Sequence, residues 1–183
     1  MIRIANKALR AMSENDLELV LSWRNDPQVR KNMYSNHIIS LTEHEEWFQR
    51  ESENEMSRLL IFERDEVPKG FVSFTKIDRR NKHAYWAFYS GSLSERGLGL
   101  SMEVLALKYA FEVLEIQKLC CEVLSFNDAV VNFHIKFGFE QEGVRKRHYV
   151  RDEQYYDIHQ LAIFDNTWLK NKERLEDKLA EIS

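Results

Sequence analysis

The chain is short of the features that would place it in most special classes. Only two of its 183 residues are cysteines, and Cys120 and Cys121 are neighbours. On an extended strand adjacent side chains point apart, so no disulfide framework is expected and a reducing cytoplasm is the simplest setting. Small core-lining thiols are the plain reading of both. No apolar run approaches the roughly 20 residues of a membrane span, and "MIRIANKALRAMSEND" lacks the apolar centre of a secretory signal. No spacing joins the six histidines to the cysteines as metal ligands. A net charge of −4 speaks against broad nucleic-acid binding. There is no repeat, low-complexity tract or linker, so residues 1–183 are expected to form one domain with a real core.

What is present is an alternation of strand and helix patterns, which predicts a mixed α/β domain. Lys7 to Met12 reads as a strand, and Ser13 or Asn15 caps a helix carrying Leu17, Val20, Leu21 and Trp23. Pro27 suits the first turn of a second short helix. Thr42-Glu43-His44-Glu45 reads as a capping box opening a third, with Trp47 and Phe48 on it. Arg58–Arg64 and Gly70–Ile77 read as paired strands joined by the turn "DEVPKG". After Gly138, two strands flank "VRDEQ". A terminal amphipathic helix then carries Trp168, Leu169, Leu175 and Leu179.

The stretch from His83 to Phe111 carries the first chemical signal. "HAYWAFYSG" alternates as a strand, with Tyr85, Ala87 and Tyr89 on one side and Trp86 and Phe88 on the other. "SLSERGLGL" then turns into a helix with Leu100, Val104, Leu107, Phe111 and Leu114 on one stripe. Between them Arg96, Gly97, Leu98, Gly99, Leu100 and Ser101 put glycine-flanked backbone N–H groups at a helix start, a natural phosphate site. A tight connection with no ligand is the alternative. The loop lacks the Gly-Lys-Ser/Thr ending of a nucleoside-triphosphate loop and the G-x-G-x-x-G dinucleotide fingerprint. It resembles the acyl-CoA loop R/Q-x-x-G-x-G/A of the GNAT superfamily of acetyltransferases, with Ser101 where a small Gly or Ala stands. The Ser101 hydroxyl offers a further hydrogen bond to phosphate.

The second signal is "LCCEVLSFNDAVVNFHIKFGF": a strand from Leu119 to Leu124, a helix capped by Asn127 or Asp128, then Gly138-Phe139. It is similar to the GNAT pattern of strand, Asn, helix and Gly-Phe, in which a helix tyrosine faces the thioester. His134 occupies that place here. The resemblance implies a mostly antiparallel mixed sheet flanked by helices, with two central strands splayed to admit acetyl-CoA as co-substrate. It implies further that Phe88, Tyr89, residues Arg96 to Ser101 and Asn127 bind that co-substrate, a backbone N–H near Phe88 or Tyr89 serving as oxyanion donor. Glu122 is the expected base, acting through water, and His134 the expected acid. A strand-edge carboxylate and a structural histidine are their plain alternatives, and Tyr149 and Tyr155 are fallback donors. An acyl-cysteine is disfavoured, since neither Cys120 nor Cys121 has an evident base.

The opening third carries a narrower likeness. "WRNDPQVRKNMYSNHIISLTEHEEWF" with "SFTKI" resembles the acetyltransferases of pseudaminic acid biosynthesis, which act on the 4-amino group of UDP-4-amino-4,6-dideoxy-N-acetyl-β-L-altrosamine. This implies a UDP-amino sugar pocket lined by Arg24, Arg30, Met33, Tyr34, His44, Phe48, Thr75 and Lys76. Arginine suits diphosphate and aromatic faces suit uracil. A helical flap with a solvated basic face is the alternative for this region. Core packing is the alternative for Met33 and Phe48, and a solvated strand position for Lys76. Acetyltransferases of ribosomal-protein N-termini or of polyamines are the rival enzymes, and a non-catalytic acyl-CoA-binding module is the rival of another class. The oligomeric state is left open, a dimer included.

Overall fold

The computed structural model describes residues 1–92 and 95–181. Leu93 and Ser94, in the middle of the turn after the aromatic strand, and the last two residues lie outside the described residues. Eight strands form one sheet in the order β1-β2-β3-β4-β5-β6-β8-β7. They are β1 (Ile2–Ile4), β2 (Lys7–Ala11), β3 (Arg58–Arg64), β4 (Val67–Asp78), β5 (His83–Ser90), β6 (Lys118–Leu124), β7 (Glu140–Arg151) and β8 (Gln154–Phe164). Every described neighbour pair is antiparallel except β5 with β6. This is the expected mixed, mostly antiparallel sheet.

Burial on both faces explains why strands such as "RLLIF" read as apolar runs rather than as alternations. Leu60, Phe62, Val72, Phe74 and Trp86 enter the larger core, together with α4 (Leu98–Lys108), α5 (Asp128–Lys136) and α6 (Asp165–Glu181). Leu59, Ile61 and Phe71 join a smaller core on the opposite face, with Val20 and Trp23 of α1 (Leu17–Asn25) and Trp47 and Phe48 of α3 (Leu41–Ser52). A short helix α2 (Pro27–Arg30) follows α1, with Asp26 accepting from the Gln28 N–H and Pro27 in the first turn.

Several local expectations need correcting. The cap of α3 is Ser40, whose Oγ accepts from the Glu43 N–H, so the helix begins before Thr42. The β3–β4 turn is only Asp65-Glu66, both at positive φ, and Pro68 and Gly70 lie inside β4. The two-residue turn matches the right-handed twist of the strands, which outweighs the cost of left-handed backbone at two acidic residues. Helix α4 is buried on nearly all sides rather than along one stripe, because α6 covers what a solvent face would have been. It ends in a π-helical turn, Tyr109–Val113, that lays Phe111 against Trp168, with ring centres 6.4 Å apart. In α6 Trp168, Leu175 and Leu179 are buried but Leu169 is exposed. The β1–β2 hairpin was not anticipated, since a three-residue strand has too little pattern to read.

Gly138 closes α5 at φ +101°, and a Cβ there would stand 2.7 Å from Thr167 Cγ2 at the start of α6. Both the backbone and the neighbour oppose a side chain. Gly138→Ala is expected to cost about 1–2 kcal/mol or more, measured as a shift in the denaturant midpoint with the slope unchanged.

Candidate active site

The site begins where the sheet opens. Strands β5 and β6 pair in parallel only at His83–Lys118, Ala84–Leu119 and Tyr85–Cys120. Beyond those pairs the facing edges of Trp86–Ser90 and Cys121–Leu124 have no ladder partner in each other. A cleft of about 330 Å³ lies there, lined by both strand ends and by Val29, Met33, Tyr34, Asn127, Val130 and His134 among others. A second cavity of about 440 Å³ sits on the α1–α3 side, walled by Arg24, Ser35, Glu43, His44, Glu46, Trp47, Arg50 and Phe71 among others. Met33, Ala87 and Tyr89 line both. Ala87, exposed and lacking bulk, lies where the two cavities meet.

Gly97 adopts the left-handed conformation, φ +79°, directly before α4, whose first N–H groups have no side-chain cap. Arg96 is exposed beside it. Leu98 is core, so only its backbone can serve a ligand. Leu100 is half-buried and packs against the core, and Gly99 lies within 3.6 Å of the Phe133 ring as a Cβ would measure it. Ser101 is fully buried and its Oγ donates to the Gly97 carbonyl at 2.9 Å. The expected hydroxyl contact to phosphate is therefore withdrawn: that proton closes the first turn of the helix. Asn127 precedes α5 with its amide uncommitted to the cap, on the cleft wall. Unpaired strand edges, an open helix start and a free amide suit a ligand with a phosphate end and an amide-bearing arm.

Glu122 lies in the cleft with one partner on each oxygen. Arg145 Nη1 is 3.1 Å from Oε1, and the Tyr34 hydroxyl donates to Oε2 at 3.0 Å. Burial and this carboxylate push the Tyr34 phenol well above its usual range. Tyr149 donates to the Tyr34 carbonyl at 2.7 Å, so this fallback proton donor is committed to holding the loop. Tyr155 is exposed, under the Arg147 guanidinium, and belongs to neither cavity. Cys121 lines the cleft, but burial raises its thiol well above the ordinary value.

The residues before α3 form a loop tied down at several points. From α1, Arg24 Nη2 donates to the Ser35 carbonyl and Oγ, both at 2.8 Å, and the Asn25 amide exchanges two bonds with the Ile39 backbone. From β7, the Arg151 guanidinium donates to the carbonyls of Lys31 and Met33. Arg30 bonds the Asn36 carbonyl at 3.1 Å and reaches neither cavity. Phe48 packs into the smaller core. Thr75 and Lys76 sit at a β4 bulge with Lys76 over the Tyr85 ring. These four are thus placed away from the pocket expected of them, whereas Arg24, Met33 and His44 line the larger cavity and Tyr34 the cleft. Glu46 and Arg50 of the larger cavity were not anticipated; nothing in a helical period marks which polar residue turns inward.

His134 is buried, with its Nδ1 3.0 Å from Glu103 Oε1, inside a ring of Trp86, Phe88, Phe133 and Phe139. Glu103 was missed, although a lone acid in the apolar run "SMEVLAL" is a readable anomaly. Among the described residues no group of three or more His, Cys, Asp or Glu side chains is placed to hold a metal ion, and no helix is long and apolar enough to cross a membrane.

The sequence profile of the acetyltransferase (GNAT) domain matches residues 8–140. The chain belongs to the GNAT acetyltransferase family. It is an acetyl-CoA-dependent N-acetyltransferase. The SPbeta prophage-derived uncharacterized N-acetyltransferase YokL of Bacillus subtilis (strain 168) is 28% identical over 154 residues, 83% of this chain and 86% of that one. The spermidine N(1)-acetyltransferase of Escherichia coli (strain K12) is 24% identical over 162 residues, 88% and 87%. The acetyltransferase PseH of Campylobacter jejuni is 23% identical over 158 residues, 86% and 92%. The crystal structure of spermidine N-acetyltransferase from Vibrio cholerae, in complex with CoA and spermine, superposes with a TM-score of 0.83 at 20% identity. It covers 90% of this chain and 98% of that one, and shows the shared fold. The superfamily likeness read from sequence therefore stands. The narrower likeness to sugar acetyltransferases is not singled out, since the spermidine enzymes match at least as well.

If the loop under Arg151 shapes the acceptor side, Arg151→Ala should lower kcat/KM for the acceptor about tenfold, the order of one lost charge-assisted contact pair. Acetyl-CoA affinity by calorimetry should stay within about twofold.

Proposed function

We propose that this acetyltransferase acetylates the primary amine of a small molecule that also carries hydroxyl and anionic groups, of the UDP-linked amino-sugar kind. One observation carries the reading. Arg24 and His44 line the larger cavity, and Arg24 Nη1 and His44 Nε2 are both buried without a hydrogen-bond partner among the described residues. The first is a donor. The second is a lone pair, because burial holds the His44 ring below its ordinary value of 6.5 and its remaining hydrogen bond goes to the Leu17 backbone. A ligand bearing hydroxyls offers both an acceptor for the first and a donor for the second; an ammonium only donates. Among the described residues the guanidinium has no carboxylate within salt-bridge distance, and it repels a polycation.

The polyamine reading has its own support. The names of the matched relatives favour it over the sugar. Glu43 and Glu46 share the cavity wall with Arg24 and Arg50, so this region is not uniformly basic as its sequence suggests. We place the orphaned pair above the glutamates because Glu43 is exposed and already paired with His37 at 3.0 Å, whereas a buried unpaired donor demands a partner.

Acetyl-CoA brings an acyl group activated as a thioester. For the chain's own part, the cleft between β5 and β6 holds its arm and the α4 start its diphosphate. A backbone N–H near Phe88 or Tyr89 stabilises the oxyanion, and the cavity junction at Met33, Ala87 and Tyr89 brings the amine to the carbonyl. Glu122 takes the amine proton through water, using the lone pairs that Arg145 and Tyr34 leave free.

Free-thiol release is to be followed with acetyl-CoA and, separately, a UDP-4-amino sugar, spermidine and a ribosomal-protein N-terminal peptide. Release with the sugar nucleotide and not with spermidine is expected; release with spermidine alone overturns the reading in favour of a polyamine enzyme. Arg24→Gln should raise KM for the sugar about 10–100-fold and leave acetyl-CoA binding unchanged.

The neutral His44 ring also has a stability signature. Its folded value is depressed, so its contribution is complete above pH 6.5 and is lost as pH falls through the lowered value. The melting temperature of the wild type should fall more steeply from pH 6.5 to 5 than that of His44→Gln. Parallel curves would remove this assignment.

A further inference from the structure

The carboxylate of Glu103 is the least expected group in the molecule. It is wholly inaccessible on a helix whose described neighbours Met102, Val104, Leu105, Ala106 and Leu107 are all apolar and buried. One oxygen meets His134 Nδ1 at 3.0 Å, and the other, Oε2, is buried with no partner among the described residues. Burying a carboxylate with half its hydrogen-bonding capacity unused is expensive, and leucine or methionine would serve packing alone at no such cost. His134 in turn stands where GNAT sequences carry a tyrosine. A buried acid on α4 and the histidine that replaces the tyrosine, 31 residues apart, therefore touch each other.

We propose that Glu103 is a positioning residue that fixes His134 as the Nδ1–H tautomer. This leaves Nε2 as the ring atom available to the acyl-CoA cleft, and makes the pair the proton donor to the departing sulfur. A carboxylate accepting from Nδ1–H holds the ring plane and steadies the imidazolium that carries the proton. In the transfer the acceptor nitrogen forms its bond to the acetyl carbon as the carbon–sulfur bond breaks. The sulfur takes the bond's electron pair and the Nε2 proton, and the nitrogen's surplus proton leaves through water to Glu122. His134 recovers a proton from solvent before the next turnover. The other groups around the ring are the aromatic faces of Trp86, Phe88, Phe133 and Phe139, which bring no competing charge. The Cys121 thiol, raised by burial and by Glu103, is un-ionised. The inference rests on acetyl-CoA as the donor and is independent of which amine accepts.

Nitrogen-15 NMR of the histidine rings in the CoA-bound protein reads the tautomer without any acceptor. Wild-type His134 is expected as Nδ1–H when neutral; a dominant Nε2–H form overturns the proposal. In Glu103→Gln the tautomer should shift toward Nε2–H. Turnover should fall about 10–100-fold while KM for acetyl-CoA changes less than twofold. Unchanged turnover and tautomer would overturn the assignment as well. Because the variant removes a buried charge, the control is a double-mutant cycle in which His134→Tyr restores the family's residue. Glu103→Gln should cost turnover in the histidine background and little in the tyrosine background, whereas a merely structural carboxylate costs the same in both. Should no offered amine be acetylated, the tautomer arm still decides this proposal while the acceptor reading fails by itself.

Discussion

The enzyme depends on one interruption. After Tyr85 and Cys120 the parallel ladder between β5 and β6 ends, and two strands that could have gone on pairing leave their edges bare. Backbone groups inside a sheet normally find each other, and those that do not must find something else. Here the bare edges face a cleft rather than bulk solvent, which makes the opening a recognition surface made of main chain. Everything else in the architecture serves to keep it open. The large core under α4, α5 and α6 fixes one side, the smaller core under α1 and α3 fixes the other, and the strands themselves stay short of closure.

Two cavities meeting at Met33, Ala87 and Tyr89 follow from the same geometry. A sheet has two faces, and a gap in it connects them. In the proposed arrangement the acyl donor enters along the gap while the acceptor approaches over the face occupied by α1 and α3. Alanine at the junction is the side chain that lets them meet; a larger one would seal the passage. The loop from Lys31 to Ile39 roofs the junction with little regular structure of its own. It is held by side chains from α1 and from β7, so the wall shared by both cavities is assembled largely by hydrogen bonds to carbonyls rather than by a packed helix.

Much of this was legible before any coordinates. The alternation in "HAYWAFYSG" separates Trp86 and Phe88 from Tyr89, and the two sets do enter different cores. Gly97 in a glycine-flanked turn announces a left-handed residue at a helix start. Tertiary context overrode the rest. The stripe read into α4 assumed a solvent face that α6 removes. The cap assigned to Thr42 belongs to Ser40, because two overlapping capping patterns cannot be ranked from sequence. Arg30, Phe48, Thr75 and Lys76 have the right chemistry for a nucleotide pocket and the wrong direction, and direction is set by a bulge, a loop path and a core contact that composition does not encode. Glu103 was visible as an anomaly but mute until the fold set it against His134.

The two margins of the sheet are protected in opposite ways. β1 contributes three residues and offers a neighbouring molecule almost nothing to pair with. β7 runs for twelve residues, mostly exposed, a length that invites edge-to-edge accretion. Its ladder to β8 is broken by two irregularities, and Arg145, Lys146, Arg147 and Arg151 stud it with positive charge. Arg151, which ties down the loop before α3, thus doubles as part of the barrier that keeps one copy of the sheet from extending into the next.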